Sequence, residues 1–139
     1  MKIREVNENK KQFIALLLLA DEQENMVDRY LEKGTMYVLE DGDVKAECVV
    51  TDEDNGILEI KNIAVDPQNQ GKGYGKALID FLASKYADEY PYFGPKKTLK
   101  WMEQNHPIAF AHYKTALEDF SVDSLKNWIT YIKNANDTF

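Results

Sequence analysis

The hexapeptide Gln70-Gly71-Lys72-Gly73-Tyr74-Gly75 lies between an apolar run, Leu58 to Val65, and a long amphipathic stretch. A short apolar run, clustered glycines and then a helical periodicity read as a strand, a tight loop and the start of a helix. In that arrangement several backbone N–H groups converge, and the helix dipole adds partial positive charge at the same point. Glycine suits the loop because it tolerates φ > 0 and lets an anion come close to the main chain. Lys72 and Lys76 bring full charges nearby. The segment points to a phosphate-bearing cofactor, although an ordinary glycine-rich strand-to-helix turn can be written in the same letters.

The helix follows from spacing alone. Tyr74, Ala77, Leu78, Phe81, Leu82 and Tyr86 fall at i, i+3, i+4, i+7, i+8 and i+12 and make one apolar face. Pro91 disfavours a helical conformation at Tyr90, so the helix is expected to run about five turns and end near there. Two common phosphate loops do not match. A P-loop needs Ser or Thr after Gly-Lys, but Gly75-Lys76 is followed by Ala77. A dinucleotide fingerprint needs G-x-G-x-x-G, whereas the third glycine here comes one residue early.

Ahead of the loop, Lys2 to Val6 alternates and predicts a strand, while Lys11 to Ala20 and Asn25 to Lys33 predict two helices around the acidic Asp21 to Glu24. Gly34 is expected to cap the second. Asp41-Gly42-Asp43 between Met36–Leu39 and Val44–Val50 is a hairpin signal, and a second turn at Asp52 to Gly56 leads into the strand before the loop. That strand changes phase: Leu58 and Ile60 share one parity, Ile63 and Val65 the other. A β-bulge near Lys61 or Asn62 accounts for the switch, as does a central strand buried on both faces. Beyond the helix, Lys97 to Met102 reads as a strand, Pro107 to Leu117 as a helix and Trp128 to Lys133 as a strand.

Composition bounds the function. With 139 residues and 44% hydrophobic content, the chain predicts one domain over 1–139. The longest apolar block, Phe13 to Ala20, falls short of the roughly 18 residues of a membrane span. The alternating N-terminus does not resemble a signal peptide, so a cytoplasmic protein without membrane association is the default expectation. A net charge of −7 works against nucleic acid as a partner. The lone Cys48, flanked by Ala46 and Val49-Val50, reads as a buried strand residue rather than a nucleophile. One cysteine and two histidines make a poor metal set, so no metal site is expected.

Val65-Asp66-Pro67 followed by Gln70-Gly71-Lys72-Gly73-Tyr74-Gly75 resembles the acyl-CoA signature of the GNAT superfamily of N-acyltransferases, written Gln/Arg-x-x-Gly-x-Gly/Ala. The resemblance is strong in letters from about Leu58 to Leu82 and covers most of the chain in order of elements. It implies a mixed α+β fold, a GNAT-like central mixed sheet of about six to seven strands with about four flanking helices. It also implies an acetyl-CoA-dependent N-acetyltransferase that moves an acetyl group to a primary amine by direct transfer in a ternary complex. A catalytically inactive CoA-sensing or protein-interaction module on the same fold is the alternative.

The resemblance assigns roles residue by residue. The main chain at Ile63, Ala64 and Val65 would hold the pantetheine arm and acetyl carbonyl, with the strand splayed at its bulge. Amides of Gln70, Gly71, Lys72, Gly73, Tyr74, Gly75 and Lys76 would hold the pyrophosphate. Glu59, six residues before Val65, has the spacing of the general base in the histone-acetylating branch, with a strand glutamate facing solvent or pairing with Lys61 as the plain structural reading. Asn105, Ala109 and Tyr113 resemble the pattern in which the asparagine helps hold the cofactor and the tyrosine protonates the leaving thiolate. Against the pattern, the turn Leu117-Glu118-Asp119-Phe120 lacks its usual glycine, a departure that favours the inactive module. Lys96, Lys97 and Lys100 read as a solvated face, and His106 and His112 as a loop and a helix-surface residue. The acceptor is a small-molecule or peptide amine, shaped in relatives by segments such as Leu19 to Tyr30 and Ser121 to Asn127. A homodimer is left open.

Overall fold

The computed structural model describes residues 1–54, 57–90, 93, 103–105, 107–108 and 111. Four strands, β1 (Lys2–Val6), β2 (Thr35–Asp41), β3 (Asp43–Asp52) and β4 (Leu58–Val65), form an antiparallel sheet in the order β1-β2-β3-β4. Helices α1 (Ile14–Ala20) and α2 (Glu24–Asp28) come between β1 and β2, and α3 (Tyr74–Lys85) follows β4. This is the mixed α+β class the sequence implies. The expected strands at 97–102 and 128–133, most of the helix at 107–117, and Lys96, Lys97, Lys100, His106, His112 and Tyr113 lie outside the described residues.

Alternation along β2 and β3 sorts the core into two layers. Tyr37, Leu39, Ala46, Cys48 and Val50 pack with Leu78, Ile79 and Leu82 of α3. Met36, Val38 and Val49 pack on the opposite face with Leu17 of α1 and with Val27, Tyr30 and Leu31. Cys48 is buried, as its neighbours suggested. The hairpin turns at Gly42, whose φ of +84° is open to glycine and strained for any larger residue.

β4 resolves its phase change with a bulge. Val50 pairs with Ile60 and Val49 with Asn62, so Lys61 is the extra residue. Leu58, Ile60, Ile63 and Val65 consequently all join the α3 layer despite their opposite parities. The strand is also largely buried on both faces, so the two readings of its sequence hold together.

Three expectations are corrected. The second helix ends at Asp28 rather than Lys33. Its continuation mixes i→i−3 bonds from Arg29 to Met26 and Tyr30 to Val27 with i→i−4 bonds from Leu31 to Val27 and Gly34 to Tyr30, while the buried Lys10 ammonium donates to the carbonyls of Leu31 (2.8 Å) and Gly34 (2.8 Å). Carbonyls drawn onto a lysine from another segment leave the helix no reason to continue. Gly34 is not a left-handed cap. A Cβ there would lie 2.8 Å from both the Tyr30 carbonyl and Val49 Cγ1, so the position requires close approach rather than positive φ. Finally, α3 ends at Lys85, with Tyr86 as C-cap, short of Tyr90. Tertiary contacts take over: Tyr86 Oη lies 2.6 Å from Tyr37 Oη, and Tyr90 Oη donates to Asp52 (2.6 Å).

Candidate active site

The glycine loop leaves β4 through Asp66, whose carboxylate accepts from the Gln68 amide, with Pro67 opening a single 3-10 turn, Pro67–Asn69. Gly71 and Gly73 have φ of +80° and +85°, and Lys72 between them does not share the positive sign. Alternating signs of φ turn successive N–H groups toward one point, the geometry of an anion-binding nest. Gly73 is the N-cap of α3 and offers no side-chain cap. The first i→i−4 bond of the turn runs from Ala77 to Gly73, so the Tyr74 and Gly75 amides have no intrahelical carbonyl to meet.

A Cβ built on Gly71 or Gly73 meets nothing within 4 Å, so the cradle is open on its outer side. Gln70, Gly71, Lys72 and Gly73 are exposed, whereas Tyr74 and Gly75 are buried. Lys72 Nζ donates to Asn69 (3.1 Å) and Lys76 pairs with Asp80 (2.8 Å), so both lysines lie at the cradle's edge. Tyr74 fixes the start of α3 by donating to Asp41 (2.6 Å), and that hydrogen bond raises its pKa.

The end of β4 points its main chain two ways. The Asp66 amide donates to the Lys45 carbonyl of β3, and by ladder alternation Ala64 faces the same neighbour. Ile63 and Val65 therefore turn their N–H and C=O toward the opposite edge, and Gln70 Nε2 reaches the Val65 carbonyl there (3.4 Å). Ile63, Ala64 and Val65 thus lead straight into the loop. Asn105 is helical and exposed.

Glu59 is almost wholly buried, with its carboxylate 2.7 Å from Lys61 Nζ, and Lys61 also pairs with Glu53 (3.0 Å). Burial works against the charge on Lys61, but the two carboxylates outweigh it and raise its pKa. The residue inserted by the bulge is therefore the cation that holds Glu59.

Sequence reasoning missed a second polar group on the α1–α2 face. Asn62 Nδ2 donates to the Leu17 carbonyl (2.9 Å) and to Tyr30 Oη (3.0 Å), which in turn donates to Asp21 (3.2 Å). Glu47, the cross-strand partner of Ala64, is fully buried. Among the described residues, neither of its carboxyl oxygens nor Asn62 Oδ1 has a hydrogen-bond partner. Burial pushes the Glu47 carboxyl well above its usual range. The available signal was a charged residue inside the apolar stretch Ala46-Glu47-Cys48-Val49-Val50.

Comparison with known proteins agrees with this geometry. The family model described as an acetyltransferase (GNAT) domain matches residues 32–116. The chain is 39% identical over 80 residues to the uncharacterized N-acetyltransferase YvbK of Bacillus subtilis, a match covering 57% of this chain and 52% of that relative. Among solved structures, a Bacillus subtilis acetyltransferase in complex with CoA superposes with a TM-score of 0.58 at 34% identity, over 64% of this chain and 60% of the other. A GNAT family acetyltransferase from Elizabethkingia anophelis with acetyl-CoA bound gives 0.59 at 29%, over 64% and 59%. The IAA acetyltransferase of Bacillus cereus gives 0.57 at 32%, over 63% and 58%. The chain thus spans little more than half the length of the relatives it matches. A bulged strand, a glycine cradle and the start of a helix, in a sequence that the family model matches over more than half its length, establish that this chain belongs to the GNAT acetyltransferase family.

Proposed function

We propose that this protein is an acetyl-CoA-dependent N-acetyltransferase that moves the acetyl group to a primary amine by direct transfer in a ternary complex. The observation that carries the reading is the open nest at Gly71 and Gly73, set on the N-terminus of α3 at the end of the bulged β4. Uncapped amides and positive-φ glycines without side chains in the way fit a pyrophosphate. The relatives solved with CoA and with acetyl-CoA support the same ligand.

In this reading the amides of Gln70 to Lys76 hold the phosphates, and the outward main-chain groups of Ile63 and Val65, together with Ala64, orient the pantetheine arm. Acetyl-CoA supplies an activated acyl group as its thioester. Asn105 assists in holding it, and Tyr113 protonates the departing sulfur. Glu59 stands at the family position for a base, with its carboxylate paired to Lys61 (2.7 Å). The acceptor is a small-molecule or peptide amine entering beside the α1–α2 segment.

Thiol release from acetyl-CoA across a panel of amines tests the activity, and tight CoA binding without turnover on any amine would identify the inactive module instead. Tyr113→Phe is expected to lower kcat by about 10- to 10³-fold with little change in CoA affinity, the scale of general acid catalysis. Full turnover by that variant would return Tyr113 to a packing role.

A further inference from the structure

We propose that Glu47 is the residue that receives the acceptor's amine and takes its proton, with Asn62 as the second contact; this rests on the acetyltransferase reading above. Glu47 sits on β3 directly across the ladder from Ala64, and paired residues of an antiparallel sheet point to the same face. Asn62 pairs with Val49, two residues along, so it is the diagonal neighbour of Glu47 on that face. The carboxyl is thereby fixed beside the stretch of β4 assigned to the thioester, on the side covered by Leu17, Val27, Tyr30 and Leu31.

Three buried oxygens, Glu47 Oε1, Glu47 Oε2 and Asn62 Oδ1, have no hydrogen-bond partner among the described residues. Buried polar groups are ordinarily paired because an unmade hydrogen bond is costly, so an unpaired set this size calls for an explanation. With Glu47 ionised, all three are acceptors. A primary ammonium carries three N–H donors and a positive charge, which complements them in number and sign. The anchors beside them are fixed: Asn62 is held through Nδ2 by Leu17 and Tyr30, so its oxygen is aimed rather than free to swing.

The chemistry follows from burial. Among the described residues, the titratable groups that feel Glu47 are Tyr30, facing it from the segment after α2, and Cys48, next on its own strand. Neither is a cation, and Glu59, unlike Glu47, already has Lys61. An ammonium and a carboxylate brought together in a dry site favour the neutral pair, because desolvation raises the proton affinity of the acid and lowers that of the amine. The proton passes from nitrogen to the Glu47 carboxylate. The freed lone pair forms the N–C bond, the C–S bond breaks with its electron pair leaving on sulfur, the sulfur takes a proton from the general acid, and the second proton shed by the nitrogen restores that acid. Glu47 then returns its proton to solvent as product leaves.

The test uses n-butylamine, 1,4-diaminobutane and phenethylamine as acceptors with wild type, Glu47→Gln and Glu47→Met, and CoA calorimetry to show that each variant is folded. Both variants are expected to bind CoA as wild type does and to lose about 10²- to 10⁴-fold in kcat/KM for the amine. Their residual rate should climb about tenfold per pH unit up to the amine's own pKa, because only amine already neutral in water can react, whereas wild type levels off once Glu47 ionises. A purely structural Glu47 would alter stability and leave this profile unchanged. Variants within about threefold of wild type at every pH overturn the proposal. If wild type binds CoA but acetylates none of the amines, the acetyltransferase reading fails first and this proposal with it, a result visible before any variant is compared.

Discussion

The two faces of the sheet carry opposite chemistry on the same four strands. The α3 face is a continuous apolar layer from Tyr37 through Leu58, Ile60 and Ile63 to Leu78 and Ile79. The α1–α2 face mixes Leu17, Val38 and Val49 with the buried polar residues Glu47, Glu59 and Asn62. The bulge at Lys61 connects the two. By adding one residue to β4, it keeps apolar side chains on the α3 side across a parity change while Glu59, Asn62 and Ala64 stay opposite. One face holds the strand in place, and the other is free to carry groups that would destabilise an ordinary core.

Substitutions on each face can break that contrast. Ile79→Ala removes a fully buried side chain from the α3 layer and is expected to cost about 2–5 kcal/mol in denaturant unfolding. A loss below about 1 kcal/mol would mean the layer is not the main support of β4. Gly73→Glu puts a side chain and a negative charge at a φ of +85° in the cradle. It should weaken CoA binding by at least about 100-fold, roughly 2.7 kcal/mol by calorimetry, and unchanged affinity would remove the loop from the site. Asn62→Ala on the polar face deletes two hydrogen bonds and leaves the Leu17 carbonyl buried, for an expected cost of about 1–3 kcal/mol in thermal unfolding.

Glu47→Gln sharpens the comparison most finely, through pH. Burial raises the folded-state pKa of Glu47 above the ordinary value of 4.5, so its contribution is fully present below that pH. As pH rises from there toward the folded-state pKa, the unfolded chain releases a proton that the folded chain keeps, and stability falls by up to about 1.4 kcal/mol per pH unit. The glutamine variant should lack that slope. Identical slopes in urea unfolding from pH 4 to 8 would show that Glu47 ionises normally in the fold.

Local signals were read correctly wherever the deciding interaction was itself local. Asp41-Gly42-Asp43 announced a hairpin, the parity change in Leu58 to Val65 announced the bulge, and the glycine loop announced the start of α3 at Tyr74. The helical face was read short by one residue: Ile79, fully buried, lies off the predicted spacing because Ile60 and Cys48 meet α3 over a broader stripe. The candidate site divided the same way. The glycine loop was visible in the run of letters, and the role proposed for the main chain of Ile63 to Val65 came from the family resemblance. Glu59's ion pair with Lys61 stood among the readings because the two are neighbours along one strand.

The chain's own order of residues thus made its hairpin, its bulge and its glycine loop legible, because each depends on backbone preferences over a few consecutive positions, while its fold class came from the family resemblance. Tertiary structure alone decided where α2 and α3 stop, since Lys10 reaches the carbonyls of Leu31 and Gly34 and Tyr86 meets Tyr37. It also decided that Glu47 is buried beside Ala64 and Asn62 without a hydrogen-bond partner among the described residues. The electrostatic state of a carboxyl depends on what surrounds it, and those surroundings come from strands and helices far apart in sequence.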